Sequence, residues 1–149
     1  MSYLIDTNVA SEPIHAKPNP DVLSWLDSVP GEALHLSVLS IGEMRDGVER
    51  LKDSPKKRER LRVWLEQDVP EWFEGRLLPV DTTVADRWGR LISERRAIGK
   101  PLPAVDSLLA ATALVHGLRL VTRNTKDFDV AGLEIVNPWP DSAKPLADG

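Results

Sequence analysis

Short apolar runs separated by longer stretches of helical spacing narrow the choice of folds more than any other feature of this chain. Tyr3–Ile5, Leu34–Val38, Leu77–Val80, Leu118–Thr122 and Leu133–Val136 are each only long enough for one strand. Between them, Val22, Leu23, Trp25, Leu26 and Val29 recur as on one helix face, as do Val84, Trp88, Leu91 and Ile92, and later Leu108, Leu109, Thr112 and Val115. Strands separated mainly by helices favour a parallel or mixed sheet covered on both faces, and hence a three-layer α/β domain.

Local punctuation places the element ends. Asn19-Pro20 supplies a cap and a first-turn proline for one helix, which Pro30-Gly31 stops. Ser40-Ile-Gly-Glu43 reads as a capping box opening the next, and Ser54-Pro55 opens a helix whose Leu61, Trp64 and Leu65 face inward and whose end precedes Pro70. Asp81 caps a helix that Gly99 and Pro101 end, and Gly117 closes Ala104–His116 as a left-handed cap. Pro13, Pro18 and Pro20 leave room after Asn8 for a loop or a single helical turn.

With 149 residues the chain suits one domain, expected over 1–139, with 140–149 as a flexible C-terminal tail. The absence of cysteine excludes disulfides, thiolate metal sites, iron–sulfur ligation and a cysteine nucleophile. Met1-Ser-Tyr-Leu-Ile-Asp6 lacks the basic start and long apolar run of a secretory signal, and no apolar run approaches the roughly twenty residues needed to cross a bilayer. A cytoplasmic protein without a membrane partner is expected.

A formal charge of -4 gives no overall attraction to nucleic acid, yet the charge is unevenly placed. Residues 45–62 hold eight basic side chains against four acidic, and residues 87–100 hold five against one. Part of each group can border a phosphate-binding channel, while the remainder is ordinary solvated helix surface. Trp25, Trp64 and Trp88 lie among helical apolar residues and read as core or interface, whereas Trp72-Phe73 and Trp139 suggest an oligomer contact or a partner groove. His15, His35 and His116 show no metal spacing and are assigned no catalytic role.

Three acids occupy element boundaries: Asp6 after the first strand, Glu43 near one helix start and Asp106 near another. Each also has a plain structural role, as turn residue, capping-box acid and first-turn acid respectively. If the three converge, their mutual repulsion raises one or more pKa values unless a hard divalent cation compensates. Asp106 in particular borders a very apolar helix, where a carboxylate needs water, a partner or a metal.

Four blocks carry a wider resemblance: Leu4-Ile-Asp6-Thr-Asn8, Leu36-Ser-Val-Leu-Ser-Ile-Gly-Glu43, Leu102-Pro-Ala-Val-Asp106-Ser-Leu-Leu-Ala-Ala-Thr-Ala113 and Leu120-Val-Thr-Arg-Asn-Thr-Lys-Asp-Phe128. In this order the chain resembles the PIN-domain nucleases, particularly the toxins of VapBC or FitAB-type toxin–antitoxin pairs. The resemblance implies an α/β/α domain with a central, mainly parallel sheet and a crevice where Asp6, Glu43 and Asp106 hold Mg2+ or Mn2+. It implies an endoribonuclease that hydrolyses RNA phosphodiester bonds through a metal-activated water. Family members commonly place a fourth acid just after the Thr-Arg stretch; here Asn124 stands at that position and Asp127 three residues later. Asn124 is taken as the match, with Asp127 as the secondary candidate, and Thr7, Asn8, Thr122 and Arg123 as residues that orient the acids or contact phosphate. A cognate antitoxin, a homodimer within a larger complex, and operator DNA contacted through the antitoxin are the implied partners.

Two other readings compete. A phosphatase using Asp6 as nucleophile needs a second aspartate two positions on, where this chain has Asn8. A catalytically weak PIN-like protein that only binds RNA or antitoxin is prompted by Asn124.

Overall fold

Side chains alternate across a strand, and two inner strands, Tyr3–Ile5 and Arg119–Val121, each send apolar side chains to both faces. The structure, a computed structural model, describes residues 1–140. Apart from Pro140, the tail expected over 140–149 lies outside them. In β1 (Tyr3–Ile5), Leu4 and Ile5 are both fully buried but belong to different cores. Ile5 packs with Leu34, Leu36 and Val121 beneath Val9, Val22, Met44, Trp64 and Phe73, while Leu4 packs with Leu120 beneath Leu91, Leu109, Ala113 and Phe128. One sheet between two helical layers follows directly.

The remaining strands are β2 (Leu34–Ser37), β3 (Leu77–Leu78), β4 (Arg119–Val121) and β5 (Ile135–Val136). All pair in parallel, in the order β3-β2-β1-β4-β5. The chain steps outward from β1 through β2 to β3 and then returns to the other side of β1 as β4. That reversal opens a crevice beyond the carboxyl ends of β1 and β4, where open parallel sheets bind ligands. Register places Ile5 beside Val121, so the residues that follow, Asp6 and Thr122, emerge together.

Among the described residues the strands are connected by the α-helices α1 (Thr7–Ala10), α2 (Pro20–Ser28), α3 (Val38–Glu49), α4 (Pro55–Val63), α5 (Val69–Trp72), α6 (Thr82–Ala97) and α7 (Ala104–His116). Asn19 caps α2 and Asp81 caps α6 through its bond from the Val84 N–H at 2.9 Å, as their sequences predict. Gly117 closes α7 at φ 63°, in the left-handed region that glycine occupies without strain. No helix among the described residues is long and apolar enough to cross a membrane.

Two helix boundaries differ from the sequence reading. Helix α3 starts at Val38, capped by Ser37, whose Oγ accepts from the Leu39 N–H at 3.0 Å; Ser40 is wholly buried within the helix instead of capping it. The capping-box reading fails because Ser37 already has the extended backbone of a cap, at the very end of β2. The helix expected to stop before Pro70 instead runs on: Trp64–Asp68 widens into a π turn, with the Val69 N–H donating to the Trp64 carbonyl, and α5 carries Pro70 in its first turn. A wider turn relieves the clash a proline ring makes inside an α-helix, and it brings buried Val69 and Phe73 into the core.

Candidate active site

Asp6 leaves β1 and enters α1 at the crevice, only 6% exposed. Its Oδ1 accepts from the Thr7 N–H at 2.7 Å and its Oδ2 from the Thr122 hydroxyl at 2.8 Å. Thr122, fully buried at the end of β4, in turn accepts from the Asn124 N–H at 3.0 Å. The Thr122 proton therefore points at Asp6. Burial pushes the Asp6 carboxyl above the usual carboxylate range, the bonds from Thr122 and Thr7 draw it back, and the charge of Glu43 adds to the rise.

Helix α3 supplies Glu43 two turns after β2, exposed to the crevice solvent. Its Oε1 lies 2.5 Å from Thr7 Oγ1, which also lies 2.8 Å from Ser40 Oγ. Helix α7 supplies Asp106 from its first turn, half-buried as the apolar sequence around it requires. Burial raises the Asp106 pKa, and the charges of Asp6, Asp127 and Glu43 raise it further. Asp6, Glu43 and Asp106, 100 residues apart at the extremes, thus share one electrostatic environment.

Asp127 joins them through the 3-10 turn Thr125–Phe128, anchored by fully buried Phe128. Asn124 is exposed, and its side chain caps nothing in that turn. Asn8 lies in α1, and its buried Oδ1 finds no donor among the described residues. Arg123 stacks on the Trp139 ring at 5.2 Å, with Trp139 only 5% exposed. Trp139 and Phe73 are therefore core residues, in contrast to the contact or groove role their sequence surroundings suggested.

Among the described residues no three carboxylate or imidazole side chains gather closely enough to grip one ion, so the acids line an open crevice. The donor set nevertheless suits a hard divalent cation: oxygen ligands only, on carboxylates that repel one another. Beside Thr7 and Glu43 runs a groove of about 390 Å³ walled by Ile14, Met44, Val48, Leu61 and Trp64, with Lys57 and Arg60 also lining it.

The basic segments are more self-paired than their composition implies. Arg45 and Arg62 bind Glu66, Arg58 binds Glu49, Arg50 binds Asp46, and Arg60 donates to the Ile14 carbonyl. In the second segment Arg87 pairs with Glu94 and Arg90 with Asp86. Lys52, Lys56, Lys57, Arg96 and Lys100 have no ion pair among the described residues and retain the charge to attract phosphate.

Residues 3–133 match the model of the PIN domain. The chain belongs to the PIN domain family. This PIN domain is 41% identical over 138 residues to the toxin FitB of Neisseria gonorrhoeae, covering 93% of this chain and 99% of FitB. It is 37% identical over 136 residues to the VapC ribonuclease Y4jK of Sinorhizobium fredii, covering 91% and 96% of the two chains. It also superimposes on a chain in the structure of FitAB bound to an IR36 DNA fragment with a TM-score of 0.85 and 40% identity, over 92% of this chain and 95% of that one.

Asp6, Glu43 and Asp106 are candidates that the sequence offered and that the fold brings to one crevice, whereas the sequence offered Ser40 only as a cap, and the Ser40 hydroxyl instead meets Thr7 Oγ1. A hydroxyl three residues before Glu43 on the same helix face was the available signal.

Proposed function

We propose that this PIN domain is the toxin of a toxin–antitoxin pair and acts as a Mg2+- or Mn2+-dependent endoribonuclease. The observation that carries the reading is the gathering of acids beyond the carboxyl ends of β1 and β4, where Thr122 and Thr7 hold Asp6, the same Thr7 holds Glu43, and Asp106 lies within reach of their charge. Likeness to FitB and to a VapC ribonuclease over nearly the whole chain supports it.

In this reading Asp6, Glu43 and Asp106 would hold the cation, with Asn124 or Asp127 completing the set. When bound, a divalent cation supplies a charge that lowers the pKa of a water and stabilises the developing phosphorane charge. The chain's own residues do the rest. Thr122 and the Thr7 N–H hold both oxygens of Asp6 in place, and Thr7 Oγ1 holds Glu43. Arg123, steadied on Trp139, is set to bind a phosphate of the RNA next to the scissile one. Lys57 and its unpaired neighbours guide the rest of the strand.

The cognate antitoxin is proposed to lie along the groove beside Glu43, its apolar side chains against Met44, Leu61 and Trp64, with a basic side chain reaching the acids. The active unit is proposed to be a homodimer in the cytoplasm, within a larger complex that contacts operator DNA through the antitoxin. Antitoxin-free protein supplied with Mg2+ or Mn2+ and a cellular RNA pool tests the enzyme: wild type cuts, and Asp6→Asn or added EDTA stops it. Equal cleavage by wild type and Asp6→Asn would remove the site assignment; no cleavage by either would favour the binding-only alternative.

A further inference from the structure

Ser40 is wholly buried, although a hydroxyl in a helix interior ordinarily faces solvent or bonds the carbonyl of the preceding turn. Here Ser37 caps α3, and the Ser40 hydroxyl meets Thr7 Oγ1 on α1 at 2.8 Å, across 33 residues of sequence. The same Thr7 oxygen lies 2.5 Å from Glu43 Oε1. A hydroxyl has one hydrogen, and an ionised carboxylate has none. Thr7 therefore donates to Glu43, and its oxygen accepts from Ser40. With Glu43 as a carboxylate, the one Thr7 hydrogen goes to Glu43 and the chain of donation runs from Ser40 to Thr7 to Glu43.

Thr7 also gives its backbone N–H to Asp6 Oδ1 at 2.7 Å. One residue thus ties together two acids from different elements, Asp6 through its main chain and Glu43 through its side chain. That tie holds only for one rotamer. Threonine in a helix divides between two χ1 states, because its hydroxyl can turn back to a main-chain carbonyl. A buried donor from α3 favours the state that faces Glu43. Ser40 and Glu43 lie three residues apart on α3, so both act from the same helix face.

We propose that Ser40 is a positioning residue which, through Thr7, fixes Glu43 relative to Asp6 and so sets the affinity of the site for its divalent cation. The proposal rests on the reading of Asp6 and Glu43 as the acids that hold that ion. Residues that orient ligands in this indirect way are worth about 10-fold to 100-fold in metal affinity.

The test is calorimetric titration of the RNA-free protein with Mn2+, alongside thermal melting in excess chelator. Ser40→Ala should bind Mn2+ about 10-fold more weakly, and Ser40→Thr, which restores the hydroxyl, should recover most of that loss. Thr7→Val should weaken binding as much, and adding Ser40→Ala to it should change nothing further, because the relay is already cut. If Ser40→Ala fails to melt cooperatively, Thr7→Val carries the test alone, and wild-type affinity there overturns the proposal. Wild-type affinity in a folded Ser40→Ala, or full additivity of the two changes, overturns it as well. The Asp6→Asn protein separates the two levels. If wild type binds Mn2+ and Asp6→Asn does not, an unaffected Ser40→Ala defeats the relay only; if wild type itself does not bind, the metal-site reading falls and takes the relay with it.

Discussion

The Thr122 hydroxyl donates to Asp6 Oδ2 at 2.8 Å, joining the ends of β4 and β1 by a buried side-chain bond that spans 116 residues of sequence. Its polarity is set from behind by the Asn124 N–H, which occupies the Thr122 oxygen as acceptor.

Thr122→Val keeps the shape and removes that proton. The Asp6 carboxylate, 6% exposed, then loses a charge-assisted bond of about 1.5–3 kcal/mol. Chemical denaturation should show a loss of that order at neutral pH, and RNA cleavage should fall about 10-fold or more, with Thr122→Ser close to wild type on both. Unchanged stability in Thr122→Val would mean that water replaces the lost donor.

Asp106→Asn should stabilise the metal-free protein at neutral pH. Its folded-state pKa is raised above 3.8, so the stability linked to its carboxyl is fully present below 3.8 and is lost as pH rises through the folded value. Asparagine does not titrate. The melting temperature of the variant should therefore exceed that of wild type most at pH 7, with the gap closing as pH approaches 3.8. A gap that is constant with pH would show that neither burial nor the charges of Asp6, Asp127 and Glu43 raise the Asp106 pKa.

Divalent cation should reverse that order. Mn2+ in excess should stabilise wild type by mass action, by about 2.7 kcal/mol at a hundred times the dissociation constant, and so raise its melting temperature, while raising those of Asp6→Asn and Asp106→Asn far less. Equal shifts in all three proteins would place the bound ion elsewhere on the surface.

Arg123 and Trp139 should act together on substrate binding. A guanidinium held on an aromatic face at an exposed site is worth about 0.5–1 kcal/mol, so Trp139→Leu should raise KM for RNA roughly 2-fold to 5-fold with a smaller change in kcat. Trp139→Phe, which retains a ring, should lie between. In the Arg123→Ala background the Trp139→Leu change should no longer affect KM; a further rise of equal size would mean that Trp139 acts through the core instead.

The sequence shows most clearly what is decided locally. Asp81 ahead of Val84, Gly117 after α7 and the apolar strand ahead of Asp6 each carry a signal complete within a few residues, and each is where it was expected. Ser37 and Ser40 present the same side chain three positions apart, and only the end of β2 against its neighbours decides which of them caps. Pro70 illustrates a local rule overridden: burial of Val69 and Phe73 outweighs the ordinary stop, and a π turn absorbs the mismatch. Charge was legible as a total but not as pairs. Arg50 with Asp46 follows from helix spacing, whereas Arg45 with Glu66 and Arg58 with Glu49 depend on how α3, α4 and the π turn meet. Asp127 reaches Asp106 only because Phe128 anchors its turn, which no spacing rule would reveal.

The strand order has a consequence in time. Because β1 is completed on one side by β2 and on the other by β4, a ribosome that has made everything up to Gly117 has made Asp6, Glu43 and Asp106 without the strand that positions Thr122. Pairings so distant in sequence form late, after loop closure has been overcome. A growing chain therefore carries its acids unassembled, and the crevice comes into being as a unit only when β4 docks.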